Sequence, residues 1–293
     1  MPASFRRAAI LGTGLIGGSF ALALREHSPG TVVVGWDKEH VLRHARERGA
    51  IHEGVADLSR AVAGADLVFL ALPVGHIIEA LPEVARCAPP EALVTDAAST
   101  KRAVCAAAAE SYAAQSPLFL GGHPMAGKEI SGIAAAEAGL FRGAKYVLIR
   151  EPGEADSAAA NDVRVEKFAA LLRRFEAEPV WLRADAHDRA AAIVSHLPQL
   201  LAVALAGVVR GQTDETGLPV ILAARGLRDA LRLAGSPYTV WRDIILTNSD
   251  NLERALDQLI QALEQLRSEL RTRALEEEFA AAGELYKILR DLG

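Results

Sequence analysis

The sequence predicts an α/β chain in two parts, a parallel sheet with crossover helices over residues 1–183 and an all-helical half over 184–293. Three observations carry this. Short β-rich runs alternate with helix-length segments over the first 180 or so residues. A glycine-rich turn separates the first strand from the first helix, and after Leu182 the β signal stops.

In order along the chain, the predicted strands are Ala8 to Leu11, Val32 to Trp36, Leu67 to Leu72, Leu93 to Asp96, Leu118 to Gly121, Tyr146 to Ile149 and Pro179 to Leu182. Helix-length segments lie between most of them, among them Leu15 to His27, Val41 to Arg48 and Thr100 to Ala114. Glu151 to Ala160, rich in Ala, acids, Pro and Gly, reads as an exposed loop before a helix from Asp162 to Glu176. From Ala184 onward everything reads as helix. There Leu252, Leu256, Leu259, Leu263, Leu266 and Leu270 form a seam at coiled-coil spacing that needs a second helix to cover it. Packing within the chain would serve. A subunit interface is favoured, because an all-helical half has few other ways to bury two sides of long helices, so the half is expected to dimerise.

Composition excludes several classes. With 51% apolar and 24% charged residues the chain is neither disordered nor collagen-like, and 293 residues suffice for two domains. Its 56 Ala imply long helices. A net charge of -5 gives no electrostatic reason to expect a nucleic-acid partner. Cys87 and Cys105 are too few for a disulfide framework and lack metal-ligand spacing, which makes a reducing cytoplasm the default and predicts no metal. Arg6 and Arg7 before the apolar stretch Ala8 to Leu24 imitate an export signal, but glycines interrupt it and no small-residue cleavage site closes it. The longest apolar run, Leu200 to Val209, has ten residues, so no membrane span is expected.

Gly12, Gly14 and Gly17 form GxGxxG between a strand and a helix. The first permits the tight turn, the second a close approach to a pyrophosphate, and the third close helix–strand packing, which makes the first part a Rossmann-type domain. The helix N-terminus adds free amides and a positive dipole end. Asp37, 20 residues past Gly17, ends the second strand, where a carboxylate can accept from an adenosine ribose and disfavours a 2′-phosphate; NAD is expected over NADP. Asp37 also reads as a turn residue capping the next helix. The expected cofactor-binding set is Gly12, Gly14, Leu15, Ile16, Gly17 and Asp37.

Ligands of open parallel sheets sit beyond the carboxyl ends of strands. His123 follows a strand and two glycines, and Pro124 biases it to an extended backbone; its imidazole is the natural base for a hydroxyl proton. Ser99, after the strand that ends at Asp96, reads equally as a helix cap. On one predicted helix lie His187, Ser195 and His196, and Pro198 cannot donate to the carbonyl of Val194, so the helix kinks or loosens beside His196. His196 reads as a pocket residue or as a satisfied interior histidine. Arg225, Arg228 and Arg232 share a helical face that is either solvated or suited to a carboxylate substrate.

Together, GTGLIGGS, GGHPMAGKEISG, the His187-Asp188 pair, SHLP at Ser195 to Pro198 and GLRDALRLAGS resemble the prephenate dehydrogenase family, which includes arogenate and cyclohexadienyl dehydrogenases. The resemblance runs from the first strand to about Arg273. It implies NAD-dependent oxidation of the ring carbinol of prephenate with loss of the ring carboxylate, giving 4-hydroxyphenylpyruvate and CO2 for tyrosine synthesis. By the same resemblance His123 accepts the hydroxyl proton, Ser99 assists its orientation, Arg232 binds a substrate carboxylate, and His196 and Ser236 line the pocket. Glu129 and His187 would stand in its wall. Two departures are visible: Gln199 where members often have His, and SPYTVW where they often have SDPxMW, with Trp241 retained. Gln199, near the substrate's side chain, leaves prephenate against arogenate open. An ACT-type regulatory domain or a fused chorismate mutase is not expected, so inhibition by tyrosine, if present, would act at the active site or a helical surface. A β-hydroxyacid dehydrogenase, the second enzyme reading, typically needs a catalytic lysine in the helical half, where only Lys287 occurs. A non-catalytic NAD-sensing module would leave His123 and Arg232 without a task.

Overall fold

The computed structural model describes residues 4–113, 116–128, 130–151 and 162–292. Up to residue 120 the chain alternates β1 (Arg7–Leu11), α1 (Leu15–His27), β2 (Val32–Trp36), α2 (Glu39–Glu47), β3 (Glu53–Val55), α3 (Leu58–Val62), β4 (Leu67–Leu70), α4 (Val74–Cys87), β5 (Leu93–Asp96), α5 (Arg102–Ser111) and β6 (Leu118–Leu120). The strands pair in parallel in the order β3-β2-β1-β4-β5-β6. The order reverses between β1 and β4, the switch point where such sheets bind ligands.

Both faces of this sheet are buried, which explains its near-continuous apolar strands. Ala8, Ile10, Val33, Leu67, Phe69 and Leu93 face one layer with Phe20, Phe168 and Phe175. Ala9, Leu11, Val34, Val68, Leu70 and Val94 face the other, with Ile77, Leu81, Val84 and Val104. Phe20 stacks on Phe69 with centroids 3.9 Å apart. Burial of each such side chain stabilises the fold by roughly 1.5–3 kcal/mol.

The strands expected at Tyr146 to Ile149 and Pro179 to Leu182 do not extend this sheet. They appear as β8 (Lys145–Ile149) and β9 (Glu178–Leu182), joined by α6 (Val163–Arg174), and form a second sheet with β7 (Gly122–Pro124). β7 runs antiparallel to β8, and β8 parallel to β9. The cause lies in the paired glycines after β6. A Cβ on Gly122 would stand 2.8 Å from the carbonyl oxygen of Asp96, so only glycine lets the chain pass the end of β5 and start a new sheet. The loop expected at Glu151 to Ala160 lies, apart from Glu151, outside the described residues.

Beyond β9 the described chain is helical: α7 (Ala184–Ala191), a π-helical turn Ala192–His196, α8 (Leu197–Gly211), α9 (Leu218–Ile221), α10 (Arg225–Leu231), a 3-10 turn Arg232–Gly235, α11 (Tyr238–Thr247), α12 (Ser249–Glu269) and α13 (Leu275–Leu292). The loosening expected beside Pro198 is the π turn, where the N–H of Leu197 reaches the carbonyl of Ala192. The arginine row expected on one helix is broken, because α10 ends at Leu231 and Arg232 begins the 3-10 turn.

The chain forms two compact units, Met1–Asn248 and Ser249–Gly293. In the first, α7 to α11 are tied to the sheet by specific bonds. Asp188 accepts from the backbone N–H groups of Lys101 (2.7 Å) and Arg102 (3.0 Å), and Asp243 accepts from that of Gly75 (3.0 Å). In the second, Leu263, Leu266 and Leu270 of the seam are 51%, 36% and 69% exposed. Among the described residues one run, Ala184–Gly211, is long and apolar enough to cross a membrane by length and composition, with a mean hydropathy of 1.9 in its 18-residue window. The count of uninterrupted apolar residues missed it because Ser195, His196, Pro198 and Gln199 break the run without lowering its average much.

Candidate active site

The turn after β1 is built for a phosphate. Gly12 has φ +92°, and a Cβ there would lie 2.4 Å from the carbonyl oxygen of Ala71. A Cβ on Gly17 would lie 1.8 Å from the carbonyl of Gly12, so α1 can approach β1 only with glycine at this position. Around Gly14 a Cβ would meet nothing within 4 Å, and no side chain caps α1 there. Gly14, Leu15 and Ile16 line a cavity at this helix start, as a pyrophosphate site requires. Asp37 accepts from the Thr13 amide at 2.7 Å and from the Lys38 amide at 2.7 Å, while Lys38, with no side-chain cap bond, is the N-cap of α2. Gly12, Gly14, Trp36, Asp37, Leu58 and Pro73 line a cavity of about 860 Å³. This donor set and cradle fit a dinucleotide.

Gly14, Ala71, Leu72 and Pro73 also line a second cavity of about 420 Å³, which continues past Leu15 and Ile16 to Ser99, His196, Ser236 and Trp241. A third, of about 520 Å³, shares Ser99, Ser236 and Trp241 with the second and adds His123, Gln199 and Arg232. Neighbouring cavities share lining residues, so the three form a series from Asp37 to Arg232. Ser99 does not cap α5, whose N-cap is Lys101.

His123 sits in β7, held from behind. Its Nδ1 is 2.8 Å from Nε2 of His187, and His187 Nδ1 is 2.8 Å from Oδ1 of Asp188. Burial, then His187, Lys101 and His196, hold His123 well below the ordinary imidazole range, so it is a free base at neutral pH. Burial pushes the Asp188 carboxyl up, but the His187 hydrogen bond and the Arg102 and Lys101 amides outweigh it and keep the group below the usual carboxylate range. Beneath His123 lies a fully buried ion pair. The Lys101 ammonium donates to Asp96 Oδ2 and, at 2.6 Å, to the carbonyl of Gly122, while Asp96 Oδ1 accepts from the Gly122 amide at 3.0 Å. Both backbone groups of the residue before His123 are thereby fixed.

On the helical side, Asn248 Nδ2 donates toward His196 Nδ1 at 3.3 Å. That leaves the proton on His196 Nε2, which is buried with no protein partner, as is Gln199 Oε1. Burial, opposed by Asp188 and assisted by His187, takes His196 down to about 4, so it is neutral. Its ring meets Trp241 edge-on at 5.8 Å.

The structure thus brings Ser99, His123, Gln199, Arg232 and Ser236 to one cavity and His196 to the adjoining one. His187, expected in the pocket wall, instead lies behind His123, because its ring is drawn inward between His123 and Asp188. Glu129 lies outside the described residues. Arg225 pairs with Asp229 at 3.5 Å and is not part of the cavity wall. Sequence reasoning passed over Lys101 and Asn248; the only signal was that TDAASTK follows a strand end.

Two family profiles match this chain. "Prephenate dehydrogenase, nucleotide-binding domain" matches residues 20–178, and "Prephenate dehydrogenase, dimerization domain" matches residues 183–289. The chain belongs to the prephenate dehydrogenase family. It is 35% identical over 247 residues to the prephenate dehydrogenase of Lactococcus lactis subsp. cremoris, covering 84% of this chain and 66% of that one. With the prephenate dehydrogenase of Bacillus subtilis it shares 34% over 263 residues, 88% of this chain and 68% of the relative. The chain therefore spans about two thirds of the length of these curated relatives. A crystal structure of prephenate dehydrogenase from A. aeolicus, in complex with hydroxyphenyl propionate and NAD+, superposes with a TM-score of 0.86 at 26% identity over 99% of each chain. NAD is the cofactor of this prephenate dehydrogenase family member.

Proposed function

We propose that the protein is an NAD-dependent prephenate dehydrogenase that oxidises the ring carbinol of prephenate and releases the ring carboxylate as CO2, yielding 4-hydroxyphenylpyruvate. NAD, when bound, supplies the hydride acceptor. The amides around Gly14 hold its pyrophosphate, and Asp37 takes the adenosine ribose. His123 accepts the hydroxyl proton on Nε2, the ring nitrogen turned away from His187. Ser99 hydrogen-bonds the same hydroxyl, Arg232 binds a carboxylate, and His196 offers its Nε2–H to ligand in the inner cavity. Trp241 and Ser236 complete a wall that keeps water from the reacting carbon. Once hydride and proton have gone, loss of CO2 makes the ring aromatic, so alignment, one base and anion clamps suffice. The observation that carries this reading is that His123 and Arg232 line one cavity that adjoins the Gly14 turn.

The exposed leucines of α12 and the half-exposed Leu201, Val203 and Val208 of α8 support a homodimer built on residues 184–293, which also carry part of the substrate site. Free thiols at Cys87 and Cys105 support a cytoplasmic enzyme. A second reading, arogenate as substrate, is favoured by Gln199 Oε1, a buried acceptor without a partner that an ammonium group would satisfy. The deciding experiment offers purified protein prephenate and arogenate separately, each with NAD and with NADP, and follows reduced dinucleotide at 340 nm. NAD reduction with prephenate is expected; none with either substrate would end the proposal.

A further inference from the structure

The reading of His123 as the base leaves open what keeps its proton on the correct nitrogen. In neutral imidazole the free ring favours hydrogen on Nε2, the nitrogen that here must be bare. We propose that His187 and Asp188 are positioning residues that fix His123 as the Nδ1–H tautomer; this rests on the function proposed above.

The carboxylate of Asp188 sets the hydrogen positions along the chain. Asp188 is fully buried and is an acceptor only: Oδ1 takes the Lys101 amide (2.7 Å) and Oδ2 takes the Arg102 amide (3.0 Å) and Nε (3.4 Å). Its remaining bond, 2.8 Å from Oδ1 to His187 Nδ1, must therefore be donated by His187. In a neutral His187 the hydrogen is then on Nδ1, and Nε2 carries a lone pair. That lone pair lies 2.8 Å from His123 Nδ1 and can only accept, so His123 must donate. Nε2 of His123, the nitrogen not engaged by His187, is left bare on a residue that lines the substrate cavity. With His187 neutral, the chain Asp188, His187, His123 thus has one consistent assignment of hydrogens, set by the carboxylate, whereas an imidazolium at His187 would put the His123 hydrogen on Nε2.

The same chain acts after proton uptake. The imidazolium of His123 would stand near the Lys101 ammonium and His196, with no carboxylate among its hydrogen-bond partners. Asp96 is engaged by Lys101 and two backbone amides, those of Ala98 and Gly122. Asp188, one ring away through His187, is the carboxylate aligned with the new charge. This resembles the way a buried aspartate orients a catalytic histidine in hydrolase triads, with a second imidazole inserted between the two.

The test uses NAD-saturated protein labelled with ¹⁵N-histidine. Ring-nitrogen shifts of His123 should report a protonated Nδ1 and a bare Nε2 in the wild type, and His187→Leu should move it to Nε2–H. His187→Leu should lower kcat with prephenate about 100-fold while KM stays within about threefold. In His187→Gln the amide oxygen can accept in place of Nε2, so the Nδ1–H tautomer and kcat to within about tenfold should return. A wild-type His123 with hydrogen on Nε2, or equal losses in the Leu and Gln variants, would overturn the proposal. If the Leu variant does not fold, the wild-type spectrum and the Gln variant decide. Absence of turnover in the wild type would instead withdraw the assigned reaction, and the spectra would still judge the tautomer.

Discussion

The sheet region and the helices that follow it bury their apolar residues in different ways. Phe20 is fully enclosed, stacked on Phe69 and within 6.2 Å, centroid to centroid, of Phe141, Phe168 and Phe175, all from its own chain. On α8, Val208 is 63% exposed, and α9 leaves Leu218, Val220 and Ile221 open as well. One region completes its core alone, while the other leaves large apolar side chains exposed. The proposed site draws on both, taking Ser99 and His123 from the first and His196, Gln199 and Arg232 from the second. Chemistry should therefore fail sharply with changes at the base on the sheet side or at His187 behind it, and substrate affinity should vary with changes at the cavity-lining residues of the helical side.

The largest effect is expected at His123→Asn, which should lower kcat by about 10² to 10⁴ with a thermal midpoint close to wild type. Steady-state kinetics and calorimetry check both halves of that statement, and undiminished turnover would remove the base from the sheet side. Phe20→Ala should destabilise by about 3–5 kcal/mol, whereas Val208→Ala should stay within about 0.5 kcal/mol when the protein is diluted to monomer. Denaturant unfolding at low concentration compares the two, and similar costs would erase the contrast.

Acid should act next. His196, about 4 in the fold against 6.5 in the unfolded chain, gives the unfolded state the tighter hold on a proton, so stability falls as pH drops from 6.5 toward 4. The loss from this ring amounts to roughly 3 kcal/mol. His123 adds a loss of the same sign, and Asp188 contributes its own only below the ordinary carboxylate range. A midpoint that stays flat over this window would mean that His196 is solvated. Arg232→Ala, on the helical side, should mainly raise KM for prephenate, by about 1.5–3 kcal/mol of lost charge-assisted bonding. An unchanged KM would move the anion clamp elsewhere.

How much of this was legible in the sequence differs by element. α1 (Leu15–His27) and β2 (Val32–Trp36) have the bounds that the glycine turn and the run of β-branched residues predict. β3 was invisible because Glu53, Gly54 and Val55 carry no strand pattern, and it exists only because the edge of β2 pairs with it. β7 is a strand of Gly, His and Pro, residues that argue against a strand until β8 lies alongside. At the site, His123 and Arg232 were legible from motif and charge, whereas the depth of Lys101 was not. Lysines are solvated by default, and this one is buried because Asp96 and the Gly122 carbonyl, five and 21 residues away, converge on it. The role of His187 likewise depended on His123, 64 residues upstream.

The ion pair under His123 has one more consequence. Asp96 terminates a strand of the large sheet, and Gly122 opens the small one, so Lys101 rivets the two sheets at the residue next to the base. His123 and the glycine turn are thus carried by connected sheets, while His196, Gln199 and Arg232 lie on the helical segments that follow. Substrate preference in such an architecture can drift through replacements such as the one at Gln199 without re-aiming the reaction itself.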